Sequence, residues 1–348
     1  MLTNYTLREI TVTDGPTINT LAANCPDAGL ISVYSVFRDN AWQSLQALRS
    51  DTVGVVAETP GHAALAGMGL VSFTTCGIQG AVAPCALLNT LMVHPAYRRR
   101  GVAGRLSEWR IRHARSRFGD KGVILADVQV GNRASHGMVR KWCSQVLPPI
   151  TVAPVSLRTR GPGASPGIRI GPVEGLALPE FVDRLNDFYK AYTFFKDETA
   201  HNLSTWLEES PLGTRHCLGA RDLQGNLLAG LTLDEVHHLR TYHVARLPAW
   251  VRMANRLLHV VPADGVLRQI QAGRIWFRPG QVAVARYLWQ TVRRQWRGQG
   301  TCLMVFFDGR SPVASVINLK PWSIKTMMQT VLKTSIPILE DRLIYPIF

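Results

Sequence analysis

Residues 87–104, LLNTLMVHPAYRRRGVAG, constrain this chain more than any other stretch. Leu87, Leu91 and Val93 follow the alternation of a half-buried strand. Pro95 ends it, because proline lacks the N–H that a ladder needs. Arg98, Arg99 and Arg100 then precede Gly101, Val102, Ala103 and Gly104, placing three guanidiniums beside residues small enough to let a ligand approach the backbone. From Val102 the pattern turns helical, with Val102, Leu106 and Trp109 on one face and Arg105, Glu108 and Arg112 off it. The first N–H groups of a helix have no partner within it and attract anions. A strand leading through a basic, glycine-containing turn into a helix is therefore a site for a phosphorylated ligand.

The flanking residues extend the pattern. A second apolar strand is expected at 123–130, ending at Gly131-Asn132, and Ser135, Val139 and Lys141 follow. This set resembles the GNAT N-acetyltransferases, whose pyrophosphate loop reads Arg/Gln-x-x-Gly-x-Gly/Ala; Arg98, Gly101 and Ala103 fill those positions. Val93-His94-Pro95 is similar to the Val-x-Pro that precedes the loop in that family. Residues 132–141 follow its Asn-x-x-Ala-x-x-Leu-Tyr-x-Lys spacing. The resemblance implies acetyl-CoA as co-substrate. Its pantetheine arm would lie on the main chain of Leu91, Met92 and Val93, and its diphosphate on Arg98 and residues 99–104. Asn132 and Ser135 would touch the arm and the adenosine side. In one departure, the tyrosine that serves the family as general acid falls on Val139, which has no proton to give. Either another group or water does that work, or this half has reduced activity.

At 348 residues the chain is too long for one such domain and suits two. No basic region leads into an apolar run at the start, and no apolar stretch reaches the roughly 18 residues of a membrane span. The expectation is a soluble, cytoplasmic protein. Six cysteines are scattered without a C-x-x-C pair, which argues against disulfide staples and against zinc. The net charge of +15 divides into +6 for residues 1–150 and +9 for the rest. Such a surplus favours anionic ligands. Coenzyme A accounts for part of it; an acidic partner or nucleic acid could account for the remainder, although no nucleic-acid motif is present.

Along the chain we expect a strand at 5–10, a helix at 13–23, a helical stretch at 33–48 and paired strands at 53–57 and 64–74 around Pro60-Gly61. Pro148-Pro149 and the Gly/Pro-rich residues 160–167 mark a boundary or an irregular connection, and the expected domains are 1–150 and 151–348. Beyond it lie an expected strand at 168–170, a helix at 180–192, and a hairpin of 216–220 with 227–233 about Gln224-Gly225-Asn226. A strand at 274–278, a helix with Ala285, Leu288, Val292 and Trp296 on one face, and a strand at 302–307 repeat the order of residues 87–130. The turn Arg278-Pro279-Gly280-Gln281 has one glycine, and its proline removes a donor. The expected fold is therefore α/β (α+β): two tandem GNAT-like domains, each a mixed central sheet flanked by helices, the second degenerate. This arrangement resembles the plant HOOKLESS-type N-acetyltransferases.

Acyl transfer to an amine requires an oriented thioester, a polarised carbonyl, removal of a proton and stabilisation of the leaving thiolate. Leu87 stands where some relatives of that family place a glutamate, so no base is evident. Asn89, on the face of Leu91 by period two, could orient a water. Glu58 ends a neighbouring strand and His136 opens a helix; each of the three also reads as a surface or structural residue. His94 reads as a cap. Asp234-Glu235-Val236-His237-His238 with His243 looks like a ligand cluster, but strand alternation would set His237 and His238 on opposite faces, so no metal is expected. Residues 250–261 mix basic and apolar positions at helical spacing, as an inserted core helix or a surface for a membrane or partner.

The resulting expectation is an acetyl-CoA-dependent N-acetyltransferase acting on an amine of a small molecule or protein, with an acidic or protein acceptor. The alternatives are a non-catalytic acyl-CoA-binding or regulatory protein, and a tandem transferase fed by aminoacyl-tRNA. The intact coenzyme A loop argues against the last.

Overall fold

The computed structural model describes residues 5–347 except 28, 30, 60, 62, 63, 158, 159, 164, 259 and 260. Pro60 of the expected turn, residue 164 of the Gly/Pro-rich stretch and residues 259 and 260 of the basic-apolar stretch therefore lie outside the described residues. The first half contains strands β1 (Thr6–Glu9), β2 (Ser32–Phe37), β3 (Thr52–Glu58), β4 (Leu65–Ile78), β5 (Ala81–Leu87), β6 (Met92–Val93), β7 (Val123–Gln129) and β8 (Gln145–Ser156). Its helices are α1 (Gly15–Asn24), α2 (Ala41–Leu48), α3 (Val102–Phe118) and α4 (Arg133–Val139). The second half contains β9 (Arg169–Pro172), β10 (Arg215–Arg221), β11 (Leu227–Asp234), β12 (Arg240–Arg246), β13 (Val266–Leu267), β14 (Gln269–Phe277), β15 (Cys302–Asp308) and β16 (Thr326–Lys333). Its helices are α5 (Leu178–Tyr189), α6 (Ala200–Glu208), α7 (Ala249–Leu258), α8 (Val282–Gln295) and α9 (Val313–Ile317).

One mixed sheet runs through both halves in the order β1-β3-β4-β5-β7-β16-β8-β15-β14-β11-β10-β9, with β6 pairing β4. Among the described strands two pairs are parallel, β5 with β7 and β14 with β15. Each parallel pair is joined by a crossover helix, α3 or α8, which is the repeat expected from the sequence. On α3, Val102 and Leu106 are buried while Arg105, Glu108 and Arg112 are exposed; on α8, Ala285, Leu288, Trp289 and Val292 are buried. The hairpin of β10 and β11 also forms as expected.

Three expectations are corrected. Residues 33–48 are not one helix. Asn40 Oδ1 accepts the amides of Trp42 at 3.0 Å and Gln43 at 3.2 Å, so α2 starts only at Ala41. The β-branched residues before it form β2. That strand pairs with β12 in a second sheet, β13-β12-β2, which joins the halves.

Pro148 and Pro149 do not form an irregular connection; they lie inside β8. The sheet tolerates their missing donors because the β16 register slips between Gln329 and Val331, opposite Pro149. A cut at residue 150 falls within β8, and β16, from near the end of the chain, lies between β7 and β8.

Finally, the strand read through Leu87, Leu91 and Val93 is interrupted. β5 ends at Leu87, and Thr90 takes φ +45° before β6 begins. The alternation that placed Asn89 and Leu91 on one face is lost there.

Candidate functional site

The interruption at Thr90 shapes the site. β5 pairs with β7 only from Cys85–Val123 to Leu87–Leu125, and Leu88 N adds a last bond to Leu125 O at 2.7 Å. After Thr90 the chain swings to β4, pairing Met92 with Met68 and Val93 with Gly67. A Cβ on Gly67 would lie 2.7 Å from Met92 O, so glycine is what lets β6 press this closely. β7 continues straight, with its far edge on β16. The strands thus diverge into a wedge, with residues 91–93 on one side and residues 126–129 on the other.

A buried arginine holds the wedge open. Arg110 Nη1 donates to Asn89 O at 3.1 Å and Leu70 O at 3.3 Å, and Nη2 donates to Ser107 Oγ at 3.2 Å. Burial lowers its pKa to about 10, and no carboxylate among the described residues pairs with it. Asn89 O also accepts Leu70 N at 3.2 Å, so the guanidinium reinforces the main-chain bonding beneath the interruption.

The wedge leads into the basic turn. His94 Nδ1 accepts Ala96 N at 3.3 Å and caps the short turn Pro95–Tyr97, the structural role expected of it. Arg98 Nε donates to Val93 O at 3.2 Å, Arg99 takes φ +61°, and Gly101 takes φ +82° as N-cap of α3. Arg98, Arg99 and Arg100 are exposed. Val102 packs into the core, whereas a Cβ on Gly104 would meet nothing within 4 Å. No acidic residue stands in the first turn of α3. Free helix-start amides, a left-handed glycine and exposed guanidiniums are the cradle that a diphosphate requires.

Other expected site residues divide by location. Asn132 Oδ1 accepts Ser135 N at 3.1 Å, so this pair caps α4 just beyond β7. Val139 is buried in the cluster with Leu88, Ala126 and Val128. His136 lies on α4, its Nε2 buried without a partner. Glu58 is bound to Arg8, which also holds Asp14, at the β1 edge of the sheet. It stands six residues along β3 from Thr52, roughly 20 Å at a strand's rise. Neither Glu58 nor His136 reaches the cavity that Asn89 lines.

That cavity, about 940 Å³, lies between the halves. It begins at Asn89, Thr90, Thr52 and Ser72 and extends to α6, β10, β14 and the chain's last residues. Asn89 Nδ2 donates to Ser72 Oγ at 3.0 Å, while Asn89 Oδ1 is buried without a partner. On the opposite wall two guanidiniums contact the Trp206 ring, Arg215 at 5.1 Å and Arg274 at 4.7 Å from its centroid. Both are ion-paired, Arg215 with Asp234 at 3.2 Å and Arg274 with Glu198 at 3.1 Å. Asp127, beyond the last β5–β7 pair, also escaped the sequence reading. Burial pushes its carboxyl up, against a 2.6 Å bond from Thr330 Oγ1 and the charge of Arg49. A lone aspartate within an apolar strand, VILADVQ, was the available signal.

Residues 236–238 correct a further expectation. They form a short helical turn, not a strand, and bring the rings of His237 and His238 within 4.3 Å. Ligand atoms of Glu235, His237 and His238 lie within 4.8 Å of one another. Glu235 Oε1 already accepts Trp296 Nε1 at 3.1 Å and shares a 2.9 Å bond with His216 Nε2, which ties the end of α8 to the β10–β11 hairpin. In the stretch 250–261, Val251 is buried while Trp250 and Met253 are exposed. All six cysteines are free. Among the described residues no helix is long and apolar enough to cross a membrane.

Comparison with known proteins agrees with this geometry. Residues 23–144 match the acetyltransferase (GNAT) family. No curated protein matches the chain. Among solved structures, a GCN5-related N-acetyltransferase from Sphaerobacter thermophilus is similar with TM-score 0.62 at 14% identity, over 97% of each chain. Saccharomyces cerevisiae N-myristoyltransferase, solved with myristoyl-CoA, gives TM-score 0.63 at 10% identity over 95% of this chain and 83% of that one. A tandem GNAT protein from the clavulanic acid biosynthesis pathway gives 0.57 at 13% identity, over 94% and 98%. At these identities the likeness establishes the fold: a GNAT-like acyltransferase fold with the mixed sheet and length of a tandem arrangement.

Proposed function

We propose that the chain is an acetyl-CoA-dependent N-acetyltransferase acting on the amine of a small molecule or protein. The supporting observation is one of continuity: the wedge between residues 91–93 and 126–129 meets the basic turn at one end and opens at Asn89 and Thr90 into the cavity. A long ligand with a diphosphate at the turn would thus present its far end to an acceptor in the cavity. Residues 91–93 and the α3 cradle fit coenzyme A by shape and charge, and acetyl-CoA would supply there an activated acyl group with a thiol leaving group.

In this reading the chain's own groups mostly orient. The main chain of Leu91, Met92 and Val93 aligns the arm, and Arg98, Arg99, Arg100, Gly101, Val102, Ala103 and Gly104 hold the diphosphate. Asn132 and Ser135 border the arm and the adenosine side. Asn89 Oδ1, an acceptor without a partner, takes an N–H of the acceptor amine and directs its lone pair. The ammonium proton passes to water in the cavity. No phenol stands at Val139, so the proton needed by the leaving sulfur comes from solvent. General acid catalysis contributes about 10²–10⁴-fold, which leaves a slower enzyme but a working one.

Burial of Val139 in the core favours a second reading, a non-catalytic acyl-CoA-binding or regulatory protein. Free-thiol release from acetyl-CoA against a panel of amines separates the two. Amine-dependent release with matching acetylated product supports the transferase. Binding of acetyl-CoA without release on any amine supports the alternative.

A further inference from the structure

The charged residues of the cavity wall are unevenly matched. Arg215 pairs with Asp234, Arg274 with Glu198, and Asp308 with Arg310 at 2.7 Å. Arg49 and Arg240 have neither an ion pair nor a side-chain hydrogen bond among the described residues. Arg240 Nε is buried without a partner, and the guanidinium stacks 4.9 Å from the Tyr242 ring, which fixes its plane. Arg49 follows the last turn of α2, its amide on Leu45 O at 3.2 Å, and its side chain is recessed. Burial, the largest cause, together with the charge of Arg240 lowers its pKa to about 10 against the opposing charge of Asp127, so the two guanidiniums lie near one another.

Their meeting is a product of topology. Arg240 opens β12, a strand of the second half, and sits opposite Phe37 of β2 in the sheet that joins the halves. Arg38 N donates to Leu239 O at 2.9 Å one residue away. The same strand pairing therefore delivers one arginine from each half to the end of the cavity near Ser50 and Thr52. Thr52 Oγ1 lies 2.7 Å from Ser72 Oγ, and Ser72 Oγ lies 3.0 Å from Asn89 Nδ2. A polar row thus runs from the arginines to the orphaned Asn89 Oδ1 at the mouth of the wedge.

Two neighbouring recessed cations without hydrogen-bonded carboxylates repel one another, and the charge of Asp127 offsets the burial of Arg49 only in part. An anion bridging them relieves both. We propose that Arg49 and Arg240 form an anion subsite that selects amine acceptors bearing a carboxylate, such as an amino acid or a peptide with an acidic end. The proposal rests on the acyltransferase reading, because it takes Asn89 as the place of the reacting amine. Arginine's planar fork matches a carboxylate in two-point fashion. A monoanion suits the site better than a phosphate dianion, because the Asp127 carboxyl already lies close enough to act on Arg49 while engaged with Thr330. Lys196 on the same wall adds positive charge, and the exposed Glu209 lies at the rim.

The test compares matched acceptors on the full chain: an α-amino acid, its carboxamide, the amine lacking the carboxyl group, and a phosphate-bearing amine. The wild type should acetylate the acid with a kcat/KM about tenfold or more above the carboxamide, as a charge-assisted hydrogen bond predicts. In R49Q and R240Q that ratio should collapse towards one, through KM. Equal use of acid and carboxamide, or preference for the phosphate-bearing amine, overturns the carboxylate subsite and leaves the transferase reading intact. Calorimetry with N-acetylglycine and its amide reads the subsite without turnover. If no amine is acetylated yet N-acetylglycine binds and R49Q or R240Q abolishes binding, the transferase reading falls and the anion subsite stands. Two variants guard against misfolding: a ratio unchanged in R240Q, folded by circular dichroism, overturns the proposal even if R49Q cannot be purified.

Discussion

The two halves share a backbone device and use it oppositely. In the first, Thr90 at φ +45° ends the parallel pairing of β5 and β7; in the second, Arg274 at φ +47° ends that of β14 and β15. Each is followed by a turn with a left-handed glycine, Gly101 at +82° and Gly280 at +79°, and then a helix. Side chains make the difference. Leu91, just past the first bulge, is 36% exposed; Ile275, just past the second, is 6% exposed, and its carbonyl accepts Tyr189 Oη at 2.6 Å. Arg98, Arg99 and Arg100 face solvent, whereas Arg278 is paired with Glu180 at 3.3 Å, an acid that also binds Arg221 at 3.5 Å. Pro279 removes one more donor. The second wedge is therefore closed on the same backbone device, by one tyrosine and one glutamate.

The largest expected effect tests this contrast directly. A side chain at Gly101 is strained at φ +82°, and a carboxylate there opposes the diphosphate. G101E should lose acetyl-CoA binding, with affinity falling from the micromolar range, about −8 kcal/mol, to undetectable. The mirror variant G280E carries the same backbone strain in the closed half and should bind as the wild type does. Calorimetry on the wild type should give one coenzyme A per chain. Two sites, or loss of binding in G280E, would break the comparison.

The ends of the two parallel pairs differ as well. Beyond β7, Asn132 caps a helix; at the end of β15, Asp308 grips the C-terminal segment. Asp308 accepts Arg310 Nη2 at 2.7 Å and Ile344 N at 3.0 Å, while Arg310 reaches Glu340 O at 3.1 Å and Arg342 O at 2.8 Å. Burial pushes the Asp308 carboxyl up, but the bonds from Arg310 outweigh it and hold the group below its ordinary 3.8. A depressed carboxyl stabilises the fold fully above its unfolded value, and that stability disappears as pH falls through the lower folded value. D308N should cost about 2–3 kcal/mol at neutral pH and flatten the acid limb of a stability–pH curve below about pH 4, read by urea denaturation. An unchanged acid limb would show that Asp308 does not hold the segment.

How much of this was legible in the sequence depended on whether the signal was local. The strand–turn–helix of residues 87–118 could be read because proline, arginines, glycine and helical periodicity occur consecutively. The α8 face and the β10–β11 hairpin were legible for the same reason. The bulge at Thr90 was not, because threonine does not advertise a positive φ and the apolar alternation continues across it. Arg110 was hidden among five arginines of α3, and only the tertiary fold shows that this one is buried beneath the bulge. β2 was absorbed into a helix because Val36, Trp42, Leu45 and Leu48 were read as one run of helical apolar positions. Val139 invited a catalytic reading by alignment; its burial with Leu88 and Ala126 gives it a packing role. The cavity brings together residues from across the chain, so its arginine pair could be seen only once β12 was placed beside β2.

The smallest expected effect concerns the tyrosine that closes the second wedge. If Tyr189 Oη serves only to satisfy the Ile275 carbonyl, Y189F removes one buried hydrogen bond and keeps the ring that packs on Tyr192, Phe195 and Tyr345. A bare buried carbonyl costs about 1–2 kcal/mol, so the urea midpoint should fall slightly with an unchanged slope. Coenzyme A stoichiometry should stay at one, because the ring still fills the space and Glu180 still neutralises the turn. A second binding event in Y189F would mean that the hydroxyl alone closes the second half, and that its basic turn remains competent. An unchanged midpoint would mean that Ile275 O finds another partner, so the closure rests on packing and not on the hydrogen bond.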